Sequence, residues 1–334
     1  MSVVDNVKKL DVIALLTNSN SNNVQTTTIA KALTRGGNLY QRNVYFNSIA
    51  NLPSFLTALF PVWLTINKND GFNDINHCDI IVTCGRRSVR YAKHIRKHLF
   101  KNAKIVQILK PGSLISSNDV VLLPAHDKSI LKSSNIIRFN GAICEKIDDE
   151  ILTKTAENFS NIKEMLRGPF IGVFVGGTSK HFKFTKSLAE EFARRVNVVS
   201  KNMKMPLLIS TSRRTPVDVI EIIKANLDCE YYLYNYNENP KNNPYYAFIK
   251  WSEFNIVTGD SISMISELHS AERPLYVFIN GIDSRKYHIF HNYIVSNDMA
   301  RTLAIDTQEL EKFPFKPLNN IQELASKILS KLGL

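Results

Sequence analysis

Phe170-Ile171-Gly172-Val173-Phe174-Val175-Gly176-Gly177-Thr178-Ser179-Lys180 is almost unbrokenly apolar up to Val175 and then turns on two glycines. An alternating pattern would mark a strand wet on one face. A continuous apolar run instead marks a strand covered on both faces, as in a parallel sheet. Outward from it, strand-like runs recur at 12–17, 44–47, 79–83, 104–109, 120–124 and 135–140, then at 207–211, 231–233, 255–258 and 275–279. Helical spacing fills many of the gaps, at 24–33, 88–100, 186–202, 217–226 and 262–271. Strand–helix alternation implies parallel sheets joined by right-handed crossovers. A length of 334 residues exceeds what one core usually serves. The polar stretch 148–168 places a junction there. The expected fold is α/β, with two Rossmann-like, doubly wound domains (1–158 and 159–334) facing across a cleft.

Composition narrows the class. The hydrophobic fraction of 44% excludes low-complexity disorder, and no apolar run reaches the roughly 18 residues of a membrane span. Cys78, Cys84, Cys144 and Cys229 are scattered without a C-x-x-C, so neither a zinc site nor a disulfide framework is expected. These features predict a soluble cytoplasmic protein with no metal. The net charge is +12, and residues 86–110 carry nine basic side chains with no acid. An anionic partner follows, either a phosphate ligand or an acidic membrane surface. Nucleic acid is not expected, because no aromatic stacking motif or finger spacing accompanies the charge.

In doubly wound sheets, ligands sit beyond the carboxyl ends of the strands, so the residues there are the candidates. After 170–175, Gly176 and Gly177 are expected to adopt unusual dihedrals and aim N–H groups at an anion, with Thr178 and Ser179 beside them. After 207–210 come Thr211, Ser212, Arg213, Arg214, Thr215 and Pro216, a helix start with two guanidiniums suited to phosphate. After 255–258 come Gly259, Asp260, Ser261 and Ser263, where a capped helix N-terminus would meet a diphosphate. Glu267 lies one turn past Ser263, placed to accept hydrogen bonds from vicinal ribose hydroxyls. In the first half, Arg86, Arg87 and Ser88 open the basic helix, and His126-Asp127 follow 120–124 as a candidate base and its orienting carboxylate. Residues 52–64 keep helical apolar spacing around Pro61, read either as a core helix or as an apolar surface resting on lipid.

Taken in order, Gly85-Arg86-Arg87-Ser88, Val106 to Pro111, Pro124-Ala125-His126-Asp127, Gly176 to Ser179, Thr211 to Pro216 and Gly259 to Glu267 resemble the mitochondrial-fission "elongated mitochondria" family over roughly 80–280. The N-terminal part departs from that pattern. A Gly-rich loop running into a Gln is replaced by Asn18-Ser19-Asn20-Ser21-Asn22-Asn23-Val24-Gln25, which keeps the Gln without the glycines. The resemblance implies a fold similar to the two-domain B-type (GT-B) glycosyltransferases. It places the nucleotide sugar on the C-terminal domain, with Glu267 on the ribose, and the acceptor on the N-terminal domain. Plant members are linked to recruiting a dynamin-like protein to mitochondria.

The expectation is therefore a metal-independent glycosyltransferase-like protein. Its donor is a nucleotide-diphosphate sugar, it needs no resident cofactor, and its acceptor is lipid-linked or membrane-adjacent. A peripheral place at the inner face of a membrane goes with that acceptor. The alternative is a non-catalytic adaptor of the same fold that binds a protein partner or an anionic membrane. A sugar-nucleotide epimerase is not expected, because it would want a G-x-x-G-x-x-G loop after the first strand and a Tyr-x-x-x-Lys pair, and the loop after the first strand has no glycine.

Overall fold

The structure is a computed structural model and describes residues 8–57, 59–112, 118–127, 133–144, 147–179 and 182–334. Ala58 and Lys180, both within stretches read above, lie outside the described residues. The chain divides into two compact units.

The first unit is a seven-stranded sheet in the order β3-β2-β1-β4-β5-β6-β7. Its elements are β1 (Val12–Leu16), α1 (Asn20–Leu33), β2 (Leu39–Phe46), the one-turn α2 (Ser54–Thr57), β3 (Ile66–Asn69), β4 (Ile80–Cys84), α3 (Arg86–His98), β5 (Lys104–Ile108), β6 (Val120–Pro124) and β7 (Ile136–Phe139). All pairings are parallel except β2 with β3, which is antiparallel and closes one edge. The continuous apolar runs are covered on both faces as expected. Ile81 and Ile105 pack toward α3, while Val82 and Val106 face α1.

The second unit holds α4 (Asp149–Glu157), α5 (Ser160–Met165), β8 (Phe170–Val175), α6 (Lys186–Met203), β9 (Leu207–Thr211), α7 (Val217–Ala225), β10 (Tyr231–Tyr234), α8 (Tyr245–Trp251), β11 (Ser252–Thr258), α9 (Ile262–His269), β12 (Leu275–Phe278), α10 (Arg285–Ser296) and β13 (Arg301–Thr302). Its six strands run β10-β9-β8-β11-β12-β13, all parallel. Strand order reverses between β8 and β11, and in doubly wound sheets the crevice for a ligand lies at such a switch point, beyond the carboxyl ends.

Two expectations need correcting. The division at 158/159 gives way to units of 1–144 plus 319–334 and of 145–318. The reason is α11 (Ile321–Leu332), whose Leu324, Ala325, Ile328, Leu329 and Leu332 are buried with Ile29, Ala30 and Leu33 of α1 in the first unit's core. Asn319 fastens that return. Its Oδ1 accepts from the Asn140 N–H at 2.9 Å and its Nδ2 donates to the Asn140 carbonyl at 2.5 Å. Residues 52–64 are not one helix. Among their described residues they hold the one-turn α2, which starts on the Pro53 carbonyl, and the start of a 3₁₀ turn at Val62–Thr65, and Pro61, which has no N–H, cannot continue a helical ladder.

Candidate functional site

Beyond the carboxyl ends of β8, β9 and β11, three turns are locked to one another around Asp260. The side chain is wholly buried. Oδ2 accepts from the Gly177 N–H at 3.0 Å and from Nη2 of Arg214 at 3.3 Å, and Oδ1 accepts from the Thr258 hydroxyl at 2.7 Å. The Thr258 hydroxyl also accepts the Gly176 N–H, at 2.7 Å. Burial raises the Asp260 pKa, and these donors and the Arg214 charge oppose the rise. From the β9 turn, the Thr215 hydroxyl reaches the carbonyls of Val175 and Gly176 at 3.1 and 2.5 Å and accepts the Ser212 N–H at 2.9 Å.

This packing corrects the reading of the glycines. Neither Gly176 nor Gly177 takes a positive φ. Their requirement is close approach. A Cβ on Gly176 would lie 2.1 Å from an Asp260 carboxylate oxygen, and one on Gly177 would lie 2.0 Å from the Arg214 carbonyl oxygen. Both backbone N–H groups are already used inward, so the pair shapes the crevice instead of aiming donors at an anion. Thr211 is likewise inward, its hydroxyl donating to the Tyr234 carbonyl at 3.2 Å and accepting from the Tyr236 N–H at 3.0 Å. Asp260 itself cannot face a ligand.

What the crevice does present is Arg213, Thr178 and the start of α9. Arg213 and Thr178 are exposed, and Ser179 is half-buried. Ser212 accepts the Arg214 N–H at 3.2 Å and so holds the arginine turn. Ser261 caps α9 by accepting the Met264 N–H at 3.3 Å, and Ser263 is half-buried in the first turn. Beneath, Nε2 of His291 lies 2.9 Å from the Gly259 carbonyl. Burial lowers this imidazole to about 4, so it is neutral with the proton on Nε2, donating to that carbonyl. Glu267 sits deeper along α9. Its Oε1 accepts from the Tyr246 hydroxyl at 3.0 Å and its Oε2 from the Tyr245 hydroxyl at 3.3 Å. Burial raises its pKa, and the tyrosine hydrogen bonds lower it.

Thr258, His291, Tyr245 and Tyr246 were missed by the sequence reading. Thr258 had a signal, as the last strand residue before Gly259-Asp260. The tyrosines, 21 and 22 residues from Glu267, had none.

The first unit departs further from expectation. Asp127 does not orient His126. Its Oδ1 pairs with Nζ of Lys110 at 2.8 Å, and His126 is buried. Ser88 is buried and donates to the Cys84 carbonyl at 2.8 Å, so it faces no anion. Arg86 and Arg87 are exposed, but they donate to the Asn51 carbonyl at 3.2 Å and the Asn51 side-chain oxygen at 2.9 Å. Gln25 accepts from the Ile143 N–H at 3.3 Å and so braces the core. Among the described residues no cluster of three or more metal-ligating side chains occurs, and no helix is long and apolar enough to cross a membrane.

The model of the mitochondrial fission ELM1 family matches residues 21–332. The chain belongs to that family. An uncharacterised protein of Rickettsia prowazekii is 30% identical to this ELM1-family chain, covering 85% of it and 88% of the relative. The mitochondrial fission protein ELM1 of Arabidopsis thaliana is 26% identical over 76% of this chain and 64% of its own, so the alignment leaves a third of the plant protein unmatched. Among solved structures, UDP-GlcNAc 2-epimerase from Methanocaldococcus jannaschii superposes with a TM-score of 0.57 at 11% identity, covering 96% of this chain and 99% of that one. The same enzyme in complex with UDP-GlcNAc and UDP gives 0.55, at 11% identity and the same coverage. At that identity the likeness speaks for the GT-B-like fold, two parallel-sheet α/β domains, and for nothing finer.

Proposed function

We propose that the second unit binds a nucleotide-diphosphate sugar in the crevice beyond β8, β9 and β11, and that the chain is a metal-independent glycosyltransferase. The observation that carries this is Glu267. Its two oxygens already take one hydroxyl donor each, the pairing that the vicinal diol of a ribose offers, on a helix whose N-terminus is capped by Ser261. The fold it shares with an enzyme solved with UDP-GlcNAc and UDP supports the same ligand class.

In this reading the diphosphate lies against the α9 N-terminus, with Thr178, Ser179, Ser261 and Ser263 donating hydrogen bonds. As the bond from sugar C1 to the diphosphate oxygen breaks, negative charge grows on the leaving oxygen. Arg213 and the helix N–H groups are placed to stabilise it, each by about 0.3–2 kcal/mol. The acceptor hydroxyl attacks C1 as that bond breaks, and its proton passes to the released nucleoside diphosphate. The acceptor is carried at a membrane surface, and the chain is peripheral to it.

A thermal-shift panel of nucleoside diphosphates and their sugars, on wild type and Glu267→Ala, tests the reading. A ligand at 100 times its dissociation constant stabilises by about 2.7 kcal/mol. The expected result is a shift of several degrees in wild type that Glu267→Ala abolishes. No shift with any nucleotide at millimolar concentration would sink the proposal.

One observation favours the second reading, a non-catalytic adaptor of the same fold. Asp127 is committed to Lys110 and does not serve His126. If ligand binds but no acceptor is ever glycosylated, the adaptor is the better description.

A further inference from the structure

The described residues of 52–64 form a surface tip with large apolar side chains exposed. Leu59 is 76% exposed, Trp63 64%, Leu52 37%, and Phe60 and Leu64 36% each. A run of such groups in one surface segment marks a contact site. Its backbone is held from behind by α3. Arg90 donates to the carbonyls of Thr57 at 2.5 Å and Phe60 at 3.0 Å, and Arg86 and Arg87 hold Asn51. These partners are neutral oxygens, and among the described residues none of the three arginines has a carboxylate in ion-pair range. Their charges are therefore not cancelled. The sequence around them adds none of the opposite sign, for no acid occurs between Asp11 and Asp70 or from residue 86 to 110. Beside Trp63, a groove of about 290 Å³ runs between β3 and α3, lined by Ile66, Tyr91, Ile95 and Leu99.

We propose that this tip docks on an anionic lipid bilayer, with Leu59, Phe60, Trp63 and Leu64 entering the headgroup–acyl boundary and the arginines of α3 facing acidic headgroups. It rests on the peripheral placement proposed above, and assigns the surface and the lipid class. Two features favour lipid over a protein partner. The exposed groups are leucine, phenylalanine and tryptophan, the residues that partition at a bilayer interface. The arginine clamp also hydrogen-bonds tip carbonyls that would otherwise have to leave water unpaired. Uncancelled charge behind an apolar tip supplies the second of the two signals that stable peripheral binding needs.

Co-sedimentation of the full chain with phosphatidylcholine vesicles, with or without about 30% phosphatidylglycerol, tests it. Wild type is expected to bind the anionic vesicles and not the neutral ones, and to lose most binding between about 0.1 M and about 0.5 M salt. Leu59→Ser/Trp63→Ser is expected to bind about tenfold or more weakly. As both side chains are exposed, the variant should keep wild-type thermal stability and any nucleotide-induced shift, so failure of the lipid site and failure of the nucleotide site are read separately. A vesicle-binding curve indifferent to the two substitutions would overturn the proposal, as would absence of binding at low salt. So would a concentration-dependent dimer that the same substitutions abolish, which would make the tip an interface between copies.

Discussion

Asp260 is a carboxylate without solvent, and its surroundings explain why its neighbours are glycines. The Gly177 N–H and Arg214 converge on it, and no side chain fits between β8 and the arginine turn. Gly177→Ala is expected to cost about 2–4 kcal/mol in chemical denaturation, because the obstacle is a backbone carbonyl that cannot rotate away. From sequence the two glycines were visible but their reason was not. A glycine needed for its dihedral and one needed for its small size look identical in one dimension. The same gap hid the tyrosines on Glu267, whose contact depends on how α8 and α9 pack.

His269 and His291 set an acid limit. Burial lowers each from 6.5 to about 4. Between those values the unfolded chain binds more protons than the native one, so stability is fully present above 6.5 and falls as pH drops toward 4. Each contributes up to about 3 kcal/mol of that loss. Asp260 and Glu267 act with the opposite sign. Their raised values mean that the native state holds the extra proton, and stability falls as pH rises through them. Urea denaturation across this range should show a shallower acid slope for His269→Phe/His291→Gln than for wild type. An unchanged slope would mean that the imidazoles titrate normally in the folded state.

Elements were legible where burial was two-sided. β6, β8 and β9 are buried at every position, so their continuous apolar runs announced both boundaries. β3, half-buried only at Ile66, and the two-residue β13 carry no such run. The tip at 52–64 has helical spacing, but two prolines and the α3 arginines give its backbone other partners. α11 has a clear apolar stripe, yet nothing along the chain says which sheet it covers. Removing 319–334 is therefore expected to loosen the first unit alone. Hydrogen exchange should report lost protection in β1 and α1, with β8 to β12 unchanged. Uniform loss across both sheets would contradict the assignment.

For the whole molecule, two sheets of the same winding carry different surroundings. Residues 1–144 and 319–334 hold 20 basic and 8 acidic side chains, and 145–318 hold 22 and 22, so the excess charge lies with the unit that bears the apolar tip. The unit count and the winding followed from alternation of strands and helices. The discontinuity of the first unit did not, because contact between Asn140 and Asn319 spans 179 positions. That span has a consequence during synthesis. As the chain leaves the ribosome, the first sheet emerges early, but the helix that covers Ile29, Ala30 and Leu33 follows only after the whole second unit. The second unit is continuous and can finish folding while the first still waits with an open apolar face. A nascent chain stalled in that interval would offer chaperones and proteases its N-terminal half, and the unit translated first would be the one completed last.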